Sequence, residues 1–534
     1  MSAGAASVDQ ALADREILER VGSVSRSVRF QTMGLAVDGE AFDLRRYPFL
    51  VELFDSNAQE IVVRKGAQLG FTIACILRTI DNAERRYKRS AIYYMPTRDD
   101  VADFSKARFG RLLRENPSLG KLVRGTDSTN MKRVGDVYIY FRGAKSRSQA
   151  KSVPADAITF DERDEMDQRI VDLARTRLDG SALREEVSLS TATVPGFGVD
   201  YDYTERSDQR TWHIRCQACG AWTCLELDFP GCIERDRDGK CFRACKKCRR
   251  PILVLRGQWV PALKDRPVVG YWVSQLCSPR MPLDHIMQEF EDPHRNTAEF
   301  YNSRLGLPFA DLDTMLDEAA LSAVVGNEPA ARASKGPCFL GADVGKEDIH
   351  WFVGEKRAAQ LDFLAFGICA EFSDLYDVAK RFTVEVGVLD EMAETRKVRE
   401  FIQAIPQFWG CWYSDAQRTG YEWNEAERRV SVNRTEILDQ SHKLVTQGRC
   451  TLPRRDERWT QLVKHMTNLA RVSKEDPTTG LPTVRWVVRG KKLDHWRHAF
   501  AYAVLAAEQA SIAEKESRIT RPRHYAGAAS WKSA

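Results

Sequence analysis

The 534-residue sequence lacks three features: a run of 18 apolar residues, an apolar N-terminal leader and a large excess of charge of either sign. The first absence predicts that no helix spans a membrane. The second predicts that the first twenty residues, which include acidic side chains, are not a signal peptide. With 80 basic against 75 acidic residues the net charge is only +5, so any surface for a polyanion has to be a local patch.

Cysteine is scarce outside one short window. Seven of the 13 cysteines fall between 216 and 248, and the other six are scattered. An odd, clustered set argues against a secreted disulfide framework and predicts a reducing compartment with one local metal site. The apolar fraction of 43% and the charged fraction of 29% are those of globular proteins, which excludes a mainly disordered chain.

Short apolar runs alternate with helix-like segments along the first half of the chain. Runs typical of buried strands lie at 61–63, 91–95, 137–141, 157–160 and 187–190. Helix-like segments such as 98–114 and 167–178 separate them. This alternation predicts an α/β domain with a largely parallel sheet. A second α/β unit begins with the strand FLGADVG, just after Cys338.

Length and these shifts in composition predict several domains. The predicted segments are a lead-in (1–40), a first α/β domain (41–313) with an inserted module (212–260), a linker (314–335), a second α/β domain (336–515) and a basic, flexible tail (516–534).

The segment IVVRKGAQLGFT (61–72) has the pattern of a strand, a glycine-containing turn and a helix start. It departs from the phosphate loop G-x-x-x-x-G-K-[ST], because Lys65 stands at the first glycine and Phe71 at the usual lysine. The physical parts remain: glycines that let N–H groups approach phosphate, a helix N-terminus, a hydroxyl for Mg²⁺ and a lysine. An ordinary strand–turn–helix is the alternative. The candidate nucleotide-binding residues are Lys65, Gly66, Gln68, Gly70 and Thr72.

The apolar strand in AITFDERDEM (157–166) ends in the acidic pair Asp161-Glu162. This Walker B pattern predicts that Asp161 holds Mg²⁺ and that Glu162 orients or deprotonates the attacking water. Such strand ends are where α/β sheets bind ligands, although a solvated acidic turn is the alternative. Thr191, which follows the strand VSLS, is predicted to sense the γ-phosphate and couple hydrolysis to motion.

These motifs resemble a known family. KGAQLGFT with its displaced lysine, MPTRDDVADFSKARF, FDERDEM and STAT are similar to the ATPase half of bacteriophage large terminase subunits, and most like the lambda-like GpA branch. The resemblance implies a P-loop NTPase-like fold that uses ATP with Mg²⁺ (or Mn²⁺) to package double-stranded DNA in the host cytoplasm. It also implies three partners: a small terminase subunit, the portal of the procapsid and further copies of the chain in a ring. In this family an arginine contacts the γ-phosphate, and the candidates are Arg64, Arg142 and Arg147.

Two C-x₂-C pairs, Cys216/Cys219 and Cys245/Cys248, are separated by 25 residues. Four thiolates delivered in this way suit a closed tetrahedral Zn²⁺ site, so the module 212–260 is predicted to be zinc-ribbon-like. Free buried thiols are the alternative. The other three cysteines of the window, predicted to be non-ligands, are Cys224, Cys232 and Cys241.

Basic side chains lie beside the second cysteine pair. They permit a contact with phosphate, and a merely solvated basic surface is the alternative. These residues are Lys246, Lys247, Arg249 and Arg250.

Three acids are spaced along the second domain. Asp343 ends its first strand, Asp390 ends the strand VGVLD and Asp494 begins the last apolar helix. This order is ribonuclease-H-like, an arrangement in which carboxylates hold two Mg²⁺ (or Mn²⁺) ions for phosphodiester cleavage. It also resembles the nuclease of large terminases. A helix N-cap or strand-end turns are the alternatives. Asp415 is a reserve ligand, and His495 is a candidate to assist with water or phosphate.

Together the motifs predict a large terminase subunit that translocates viral DNA with ATP and cuts concatemeric DNA with a metal-dependent endonuclease. A transposase or integrase-type recombinase is one alternative, since it also uses three acids on a ribonuclease-H-like core, but it leaves the ATP motifs unexplained. A DNA-dependent ATPase or helicase without nuclease activity is the other.

Overall fold

The computed structural model describes residues 25–150, 153–309, 315–357, 360–414, 420–475, 482–489 and 494–520. The chain divides into two compact units, Met1–Phe309 and Ala310–Ala534. Within the described ranges, no helix is long and apolar enough to cross a bilayer.

The first unit is built on one large, mostly parallel sheet. Its strands, in chain order, are β1 (Ala36–Val37), β2 (Glu40–Ala41), β3 (Glu60–Lys65), β4 (Ser90–Met95), β5 (Val123–Ser128), β6 (Met131–Val134), β7 (Val137–Gly143), β8 (Ala155–Asp161), β9 (Glu185–Ser190), β10 (Arg210–Arg215), β11 (Trp222–Cys224), β12 (Ile233–Arg235), β13 (Cys241–Arg243), β14 (Gly257–Val260) and β15 (Val269–Val273).

Eleven of these strands form the large sheet, in the order β11-β10-β15-β3-β9-β8-β4-β7-β6-β5, with β14 paired to β10. The run from β10 through β15, β3, β9, β8 and β4 to β7 is parallel throughout. Every residue of β8 and of β9 is buried, as expected for strands covered on both faces. The parallel α/β domain predicted from the alternating apolar runs is therefore confirmed.

Helices cover this sheet. Phe71–Arg85 follows β3, and its Phe71 ring packs 5.7 Å from that of Phe49 in the first core. The α-helices are Arg26–Thr32, Leu50–Asp55, Phe71–Arg85, Arg98–Asp103, Gly110–Glu115, Pro117–Gly120, Arg147–Ala150, Gln168–Arg175, Gly198–Tyr201, Leu225–Asp228, Leu283–Glu291 and Thr297–Glu299. Wider π-helical turns are Phe104–Phe109, Asp202–Arg206 and Phe300–Leu305. Short 3₁₀ turns are Leu44–Arg46, Arg163–Glu165, Thr176–Leu178, Val254–Arg256 and Gln275–Cys277.

The second unit has its own sheet. Its strands are β16 (Cys338–Val344), β17 (Ile349–Arg357), β18 (Gln360–Cys369), β19 (Val384–Asp390), β20 (Phe408–Tyr413), β21 (Tyr421–Asn424), β22 (Arg429–Val432), β23 (Cys450–Thr451), β24 (Leu469–Glu475) and β25 (Pro482–Val488). The first eight form one sheet in the order β21-β22-β20-β19-β16-β17-β18-β23, and β24 and β25 form a hairpin. β16, β17 and β18 are antiparallel neighbours, whereas β19 and β20 continue the sheet in parallel on the other side of β16.

A long helix, His495–Thr520, packs on β16. Gly341 of β16 makes this approach possible, because a Cβ atom there would lie 2.0 Å from the backbone nitrogen of Ala503. The other helices of the unit are Glu318–Ala323, Phe372–Arg381, Thr395–Ala404, Arg434–Thr446 and Trp459–Met466.

Two of the predicted boundary segments, the lead-in and the linker, contribute residues to buried cores. Phe30, in the predicted lead-in, is buried in the first core. Leu316 and Leu321, in the predicted linker, are buried in a core of the second unit. Of the predicted tail, the helix includes residues through Thr520, and 521–534 lie outside the described residues.

Candidate functional site

The phosphate-loop candidate and the acidic pair meet at one edge of the first sheet. β9 lies between β3 and β8, and all three strands are parallel. β3 ends at Lys65 and β8 ends at Asp161, so the residues that follow them share the carboxyl edge with Thr191, which follows β9. This is the edge at which parallel α/β sheets bind ligands.

The turn between β3 and the next helix adopts a left-handed backbone twice. Gln68 has φ 59° and Gly70 has φ 80°. Gly70 is the N-cap of helix Phe71–Arg85, and it has no side chain to occupy the first free N–H groups. The helix N-terminus that carries Thr72 is therefore open to an anion such as a phosphate.

The buried acid beside this turn is suited to a cation. The hydroxyl of Tyr93 donates a 2.8 Å hydrogen bond to Oδ2 of Asp161. Oδ1 of Asp161 is buried and has no hydrogen-bond partner among the described residues. Burial and the charge of Glu162 raise the pKa of Asp161, while Lys65, Tyr93 and Thr72 oppose that rise. An unpartnered carboxylate oxygen next to a hydroxyl is a ligand set that fits Mg²⁺.

Lys65 and Glu162 face each other across this edge. Their Nζ and Oε1 atoms are 3.4 Å apart, and the Lys65 side chain is buried while that of Glu162 is 36% exposed. Glu162 has φ 57°, an uncommon backbone state for a residue with a side chain. Such strain at the end of a strand is a feature of functional sites.

The segment after β9 is held by an acid that the sequence reasoning missed. The N–H and hydroxyl of Thr193 both donate 2.9 Å bonds to Oδ2 of Asp164, and the N–H of Val199 donates a 2.7 Å bond to Oδ1. Burial raises the pKa of Asp164 to about 7 against these hydrogen bonds. Asp164 therefore ties the acidic strand end to the segment that Thr191 begins. The available signal was a third acid in FDERDEM.

The other side of the phosphate loop is held by residues far away in sequence, also missed. Gly66 N–H donates to Val273 (2.8 Å) and Ala67 N–H to Ser303 (2.7 Å). The side-chain amide of Gln275 donates a 2.9 Å bond to the carbonyl of Ala67. The N–H groups of Gly66 and Ala67 are thus already used by the protein. The backbone N–H groups that remain for a phosphate are those of the following residues, up to the start of helix Phe71–Arg85.

The three candidate arginines differ in their freedom to move. Arg64 is buried, with its Nη1 atom 2.6 Å from Asp200 and its guanidinium over the rings of Tyr203 and Trp272. It is therefore fixed within the unit. Arg142 is half-buried at the end of β7, and Arg147 is exposed.

The four predicted zinc ligands come together. The Sγ atoms of Cys216 and Cys248 are 3.6 Å apart, and those of Cys219 and Cys245 are 3.7 Å apart. All four sulfurs lie within 4.8 Å of one another, and all four thiols are free. A tetrahedron with metal–sulfur bonds of about 2.3 Å has edges of about 3.8 Å, so the spacing fits zinc.

The two cysteine pairs lie in two separate backbone turns that have the same conformation. Cys216 N–H donates to Ala221 at 2.9 Å, and Cys245 N–H donates to Arg250 at 2.9 Å. The residue before each accepting residue has a left-handed backbone, with φ 73° at Gly220 and φ 60° at Arg249. We call these two turns, 216–221 and 245–250, the knuckles. The four-sulfur group found among the described residues does not include Cys224, Cys232 or Cys241.

The cysteine module is continuous with the large sheet. Its strand β10 pairs in parallel with β15 through Thr211 and then with β14 and β11. Trp212 and Trp259, at the predicted module boundaries, are buried in the first core. The module therefore shares both a strand and a core with the domain that carries it.

Two of the three predicted nuclease acids lie side by side in the second unit. Ala342 of β16 pairs with Leu389 of β19, so Asp343 and Asp390 are the next residues of adjacent parallel strands. Nδ1 of His495 lies 2.7 Å from Oδ2 of Asp343. Burial raises the pKa of Tyr502 above its usual range, and the charges of Asp390 and Asp343 add to this rise.

The third acid, Asp494, immediately precedes the long helix and is buried. Its Oδ2 atom is 3.3 Å from Nε2 of His498, whose Nδ1 atom is 2.9 Å from the hydroxyl of Tyr413. Among the described residues, only the four cysteines form a group of ligand atoms within 4.8 Å, so the three acids are less tightly gathered than the thiols. Asp415 lies outside the described residues.

A stack of histidines beside these acids was not anticipated. The ring of His350 lies 4.8 Å from that of His495 and 5.2 Å from that of His465. His350 pairs with Asp343 across β16 and β17. Burial and the neighbouring imidazoles lower the pKa of His350 to about 3, so it is neutral at physiological pH.

Residues 39–255 match the family described as phage terminase large subunit gpA, ATPase domain. No curated protein matches.

Among solved structures, the large terminase of bacteriophage HK97 is 11% identical, with 90% of this chain and 99% of that chain covered at a TM-score of 0.50. The large terminase nuclease of thermophilic phage G20c is 13% identical, with 35% of this chain and 96% of that chain covered at a TM-score of 0.23. The HK97 likeness shows a shared fold.

The family match covers the phosphate-loop candidate, the acidic pair and the knuckles, which lie within residues 39–255. The resemblance to phage large terminase subunits of the gpA branch is therefore confirmed over residues 39–255, which match the gpA ATPase-domain family.

Proposed function

We propose that the protein is a large terminase subunit that uses ATP to drive double-stranded viral DNA into a procapsid and cuts concatemeric DNA with a metal-dependent endonuclease. The main support for the ATP-driven motor is one observation. Lys65 lies 3.4 Å from Glu162, and beside them is a buried oxygen of Asp161 that has no hydrogen-bond partner among the described residues. The gpA-family match over this part of the chain supports it.

The motor site assigns a role to each residue. Gly70 and the helix N-terminus receive the phosphates, and Lys65 neutralises their charge. Thr72 and Asp161 would hold Mg²⁺, which neutralises charge that develops on the transferred phosphoryl group. Glu162 orients the attacking water and accepts its proton. The hydrogen bonds from Thr193 to Asp164 connect the acidic strand end to the segment after Thr191. Through them, a conformational change caused by ATP hydrolysis would reach that segment.

The nuclease site belongs to the second unit, which we propose to be ribonuclease-H-like. Asp343, Asp390 and Asp494 would hold Mg²⁺ or Mn²⁺, whose chemistry is to activate water and stabilise the leaving oxygen. His495 holds the carboxylate of Asp343 in place through their 2.7 Å contact. In support, Asp343 and Asp390 end adjacent parallel strands, and Asp494 directly precedes the long helix.

The cysteine module is a zinc ribbon in this proposal. Cys216, Cys219, Cys245 and Cys248 would hold one Zn²⁺ in a closed site, with no position left for catalysis. Its part is structural. The partners are double-stranded DNA, a small terminase subunit and the portal of the procapsid, with a homo-oligomeric ring as the packaging form in the host cytoplasm.

The motor half is tested by ATP hydrolysis on the full-length protein. Glu162→Gln should reduce turnover by at least about 100-fold while retaining affinity for an ATP analogue, because the carboxylate acts on the reacting water. Asp343→Asn should hydrolyse ATP like the wild type. Equal loss in both variants would contradict separate sites.

The nuclease half is tested by plasmid cleavage with Mg²⁺ or Mn²⁺. Asp343→Asn, Asp390→Asn and Asp494→Asn should each abolish cutting, whereas Glu162→Gln should retain it in the absence of ATP. If the Asp343→Asn protein cuts plasmid as well as the wild type, the site assignment is wrong. If the wild type hydrolyses ATP on DNA but no metal supports cutting, the helicase alternative replaces the nuclease.

A further inference from the structure

The charge of the chain is unevenly placed. Residues 212–260 contain ten Lys or Arg and five Asp or Glu, so the formal charge of the cysteine module, +5, equals that of the whole chain. The remaining residues are therefore balanced. The module stays positive even when four thiolates and a divalent cation are included. Its net charge is a local patch of the kind that a nearly neutral protein needs in order to bind a polyanion.

Part of this charge is free at the knuckles. Arg215, Lys247 and Arg250 are exposed, and none has an ion-pair partner among the described residues. By contrast, Lys246 lies 3.6 Å from Asp228, and Arg249 pairs with Glu234. Three cations without counter-charges are therefore present in or directly beside the knuckles.

The knuckles fix the backbone positions of these three cations. Arg215 directly precedes Cys216, Lys247 lies between Cys245 and Cys248, and the carbonyl of Arg250 accepts the bond from Cys245 N–H. Since the four sulfurs lie within 4.8 Å of one another, the backbone at each cation is fixed relative to the others. The N–H of Lys246 also donates a 3.1 Å bond to the hydroxyl of Thr223, which joins the second knuckle to β11.

From this surface we infer that the knuckles form a contact for the phosphate backbone of double-stranded DNA, through Arg215, Lys247 and Arg250. The partner is a polyanion because the free groups are cations, and cations carried on a fixed backbone suit a regular row of phosphates. The contact carries no sequence information, as a motor that moves along any DNA requires. This inference rests on the proposed function for the identity of the polyanion.

The test is binding of a labelled 30-base-pair duplex to the full-length protein across a range of NaCl concentrations. Lys247→Gln/Arg250→Gln removes two knuckle cations. The matched control, Arg237→Gln/Lys240→Gln, removes two exposed cations from the β12–β13 turn of the same module. Both variants change the net charge equally. Their zinc content and thermal unfolding identify any variant that fails to fold, and in that case Arg215→Gln against Arg256→Gln repeats the comparison.

The expected result is a slope of log affinity against log salt that is lower by about 1.8 for the knuckle variant and unchanged for the control, since each lost phosphate contact removes about 0.9. Equal slopes in the two variants would overturn the inference and leave the proposed function intact. A wild-type protein that binds no duplex at low salt would overturn both. If labelled polyglutamate of matched charge binds more tightly than the duplex, with the same sensitivity to Lys247→Gln/Arg250→Gln, the surface fits an acidic protein segment and the DNA assignment fails.

Discussion

The side-chain amide of Gln275 donates a 2.9 Å hydrogen bond to the carbonyl oxygen of Ala67, 208 residues away in sequence. The oxygen of the same amide accepts a 3.1 Å bond from Arg304. Gln275 therefore connects the turn at the phosphate-loop candidate to the last helical segment of the first unit. The two bonds fasten the turn to that segment.

Replacing Gln275 by Ala should weaken the binding of an ATP analogue. Loss of this bond leaves the carbonyl of Ala67 without its partner, at a cost of about 1 kcal/mol, which corresponds to roughly a fivefold higher dissociation constant. Titration of a fluorescent ATP analogue measures it. Gln258→Ala, at an exposed position of β14, serves as the control and should bind like the wild type. Equal affinities in all three proteins would show that the turn does not depend on Gln275.

The substitution Gly341→Ala should displace the helix that follows Asp494. The added Cβ would lie 2.0 Å from the backbone nitrogen and 2.5 Å from the Cα atom of Ala503, and backbone atoms cannot rotate away. We expect a loss of at least about 3 kcal/mol in stability of the second unit. Amide hydrogen exchange in His495–Thr520 measures this loss.

Gly448→Ala is the matched control. Gly448 has φ +63° and no atom within 4 Å of an added Cβ, so this variant should lose only about 1 kcal/mol from its backbone conformation. Similar protection of the helix in both variants would contradict the close approach at Gly341.

The buried histidines should make the second unit less stable in mild acid. Burial lowers the pKa of His350 to about 3 and that of His465 to about 4, whereas the pKa of an unfolded histidine is about 6.5. Between these values the unfolded chain binds more protons than the folded one, so stability is fully present above about pH 6.5 and falls as pH drops toward the folded pKa values. Each histidine contributes a slope of up to about 1.4 kcal/mol per pH unit.

His350→Phe isolates one of these groups. Nδ1 of His350 is buried with no partner among the described residues, so the phenyl ring replaces the imidazole without stranding a donor. Urea unfolding from pH 8 to pH 5 should show a shallower loss of stability than in the wild type. His294→Phe, at an exposed position, should leave the slope unchanged. A slope unaltered by His350→Phe would mean that this imidazole is protonated in the folded protein.

Arg249 permits a test of the second knuckle. It holds φ 60°, the left-handed state that Gly220 holds at φ 73° in the first knuckle. Arg249→Gly and Arg249→Ala both remove the guanidinium, so their difference reports the backbone alone. The glycine variant should be the more stable by about 1 kcal/mol. Thermal unfolding of the two proteins compares them, and a more stable alanine variant would contradict the left-handed turn.

The sequence located candidate site residues best at the C-terminal ends of buried strands. Apolar runs that stop at a polar residue located β3 and β8, and therefore Lys65 and Asp161, because a buried parallel strand places its last residue at the ligand edge. The two C-x₂-C pairs were equally local signals, since each knuckle needs only six residues. The strand-end acids Asp343 and Asp390 followed from the same logic, and their chemical roles stay predictions.

Contacts between distant segments were out of reach. Gln275 and Ala67 are separated by 208 residues, and no period or motif connects them. His350 and His465 belong to β17 and to the helix Trp459–Met466, and their rings come within 5.2 Å of each other only in the folded protein. Asp164 was visible as an acid, but its partner Thr193 depends on how β9 exits the sheet. Such pairings are set by tertiary packing.

The shared strand β10 determines which part of the cysteine module could be removed. Trp212 and Trp259 pack together with ring centres 5.2 Å apart, and the indole N–H of Trp259 donates a 3.0 Å bond to the carbonyl of Phe49. Phe49 in turn supports Phe71 at the start of the phosphate-loop helix. Deleting all of 212–260 would remove both tryptophans, and with them the packing that supports Phe49 and the start of that helix. A viable deletion has to keep both tryptophans and join the chain between them, so that only the segment carrying the knuckles is lost.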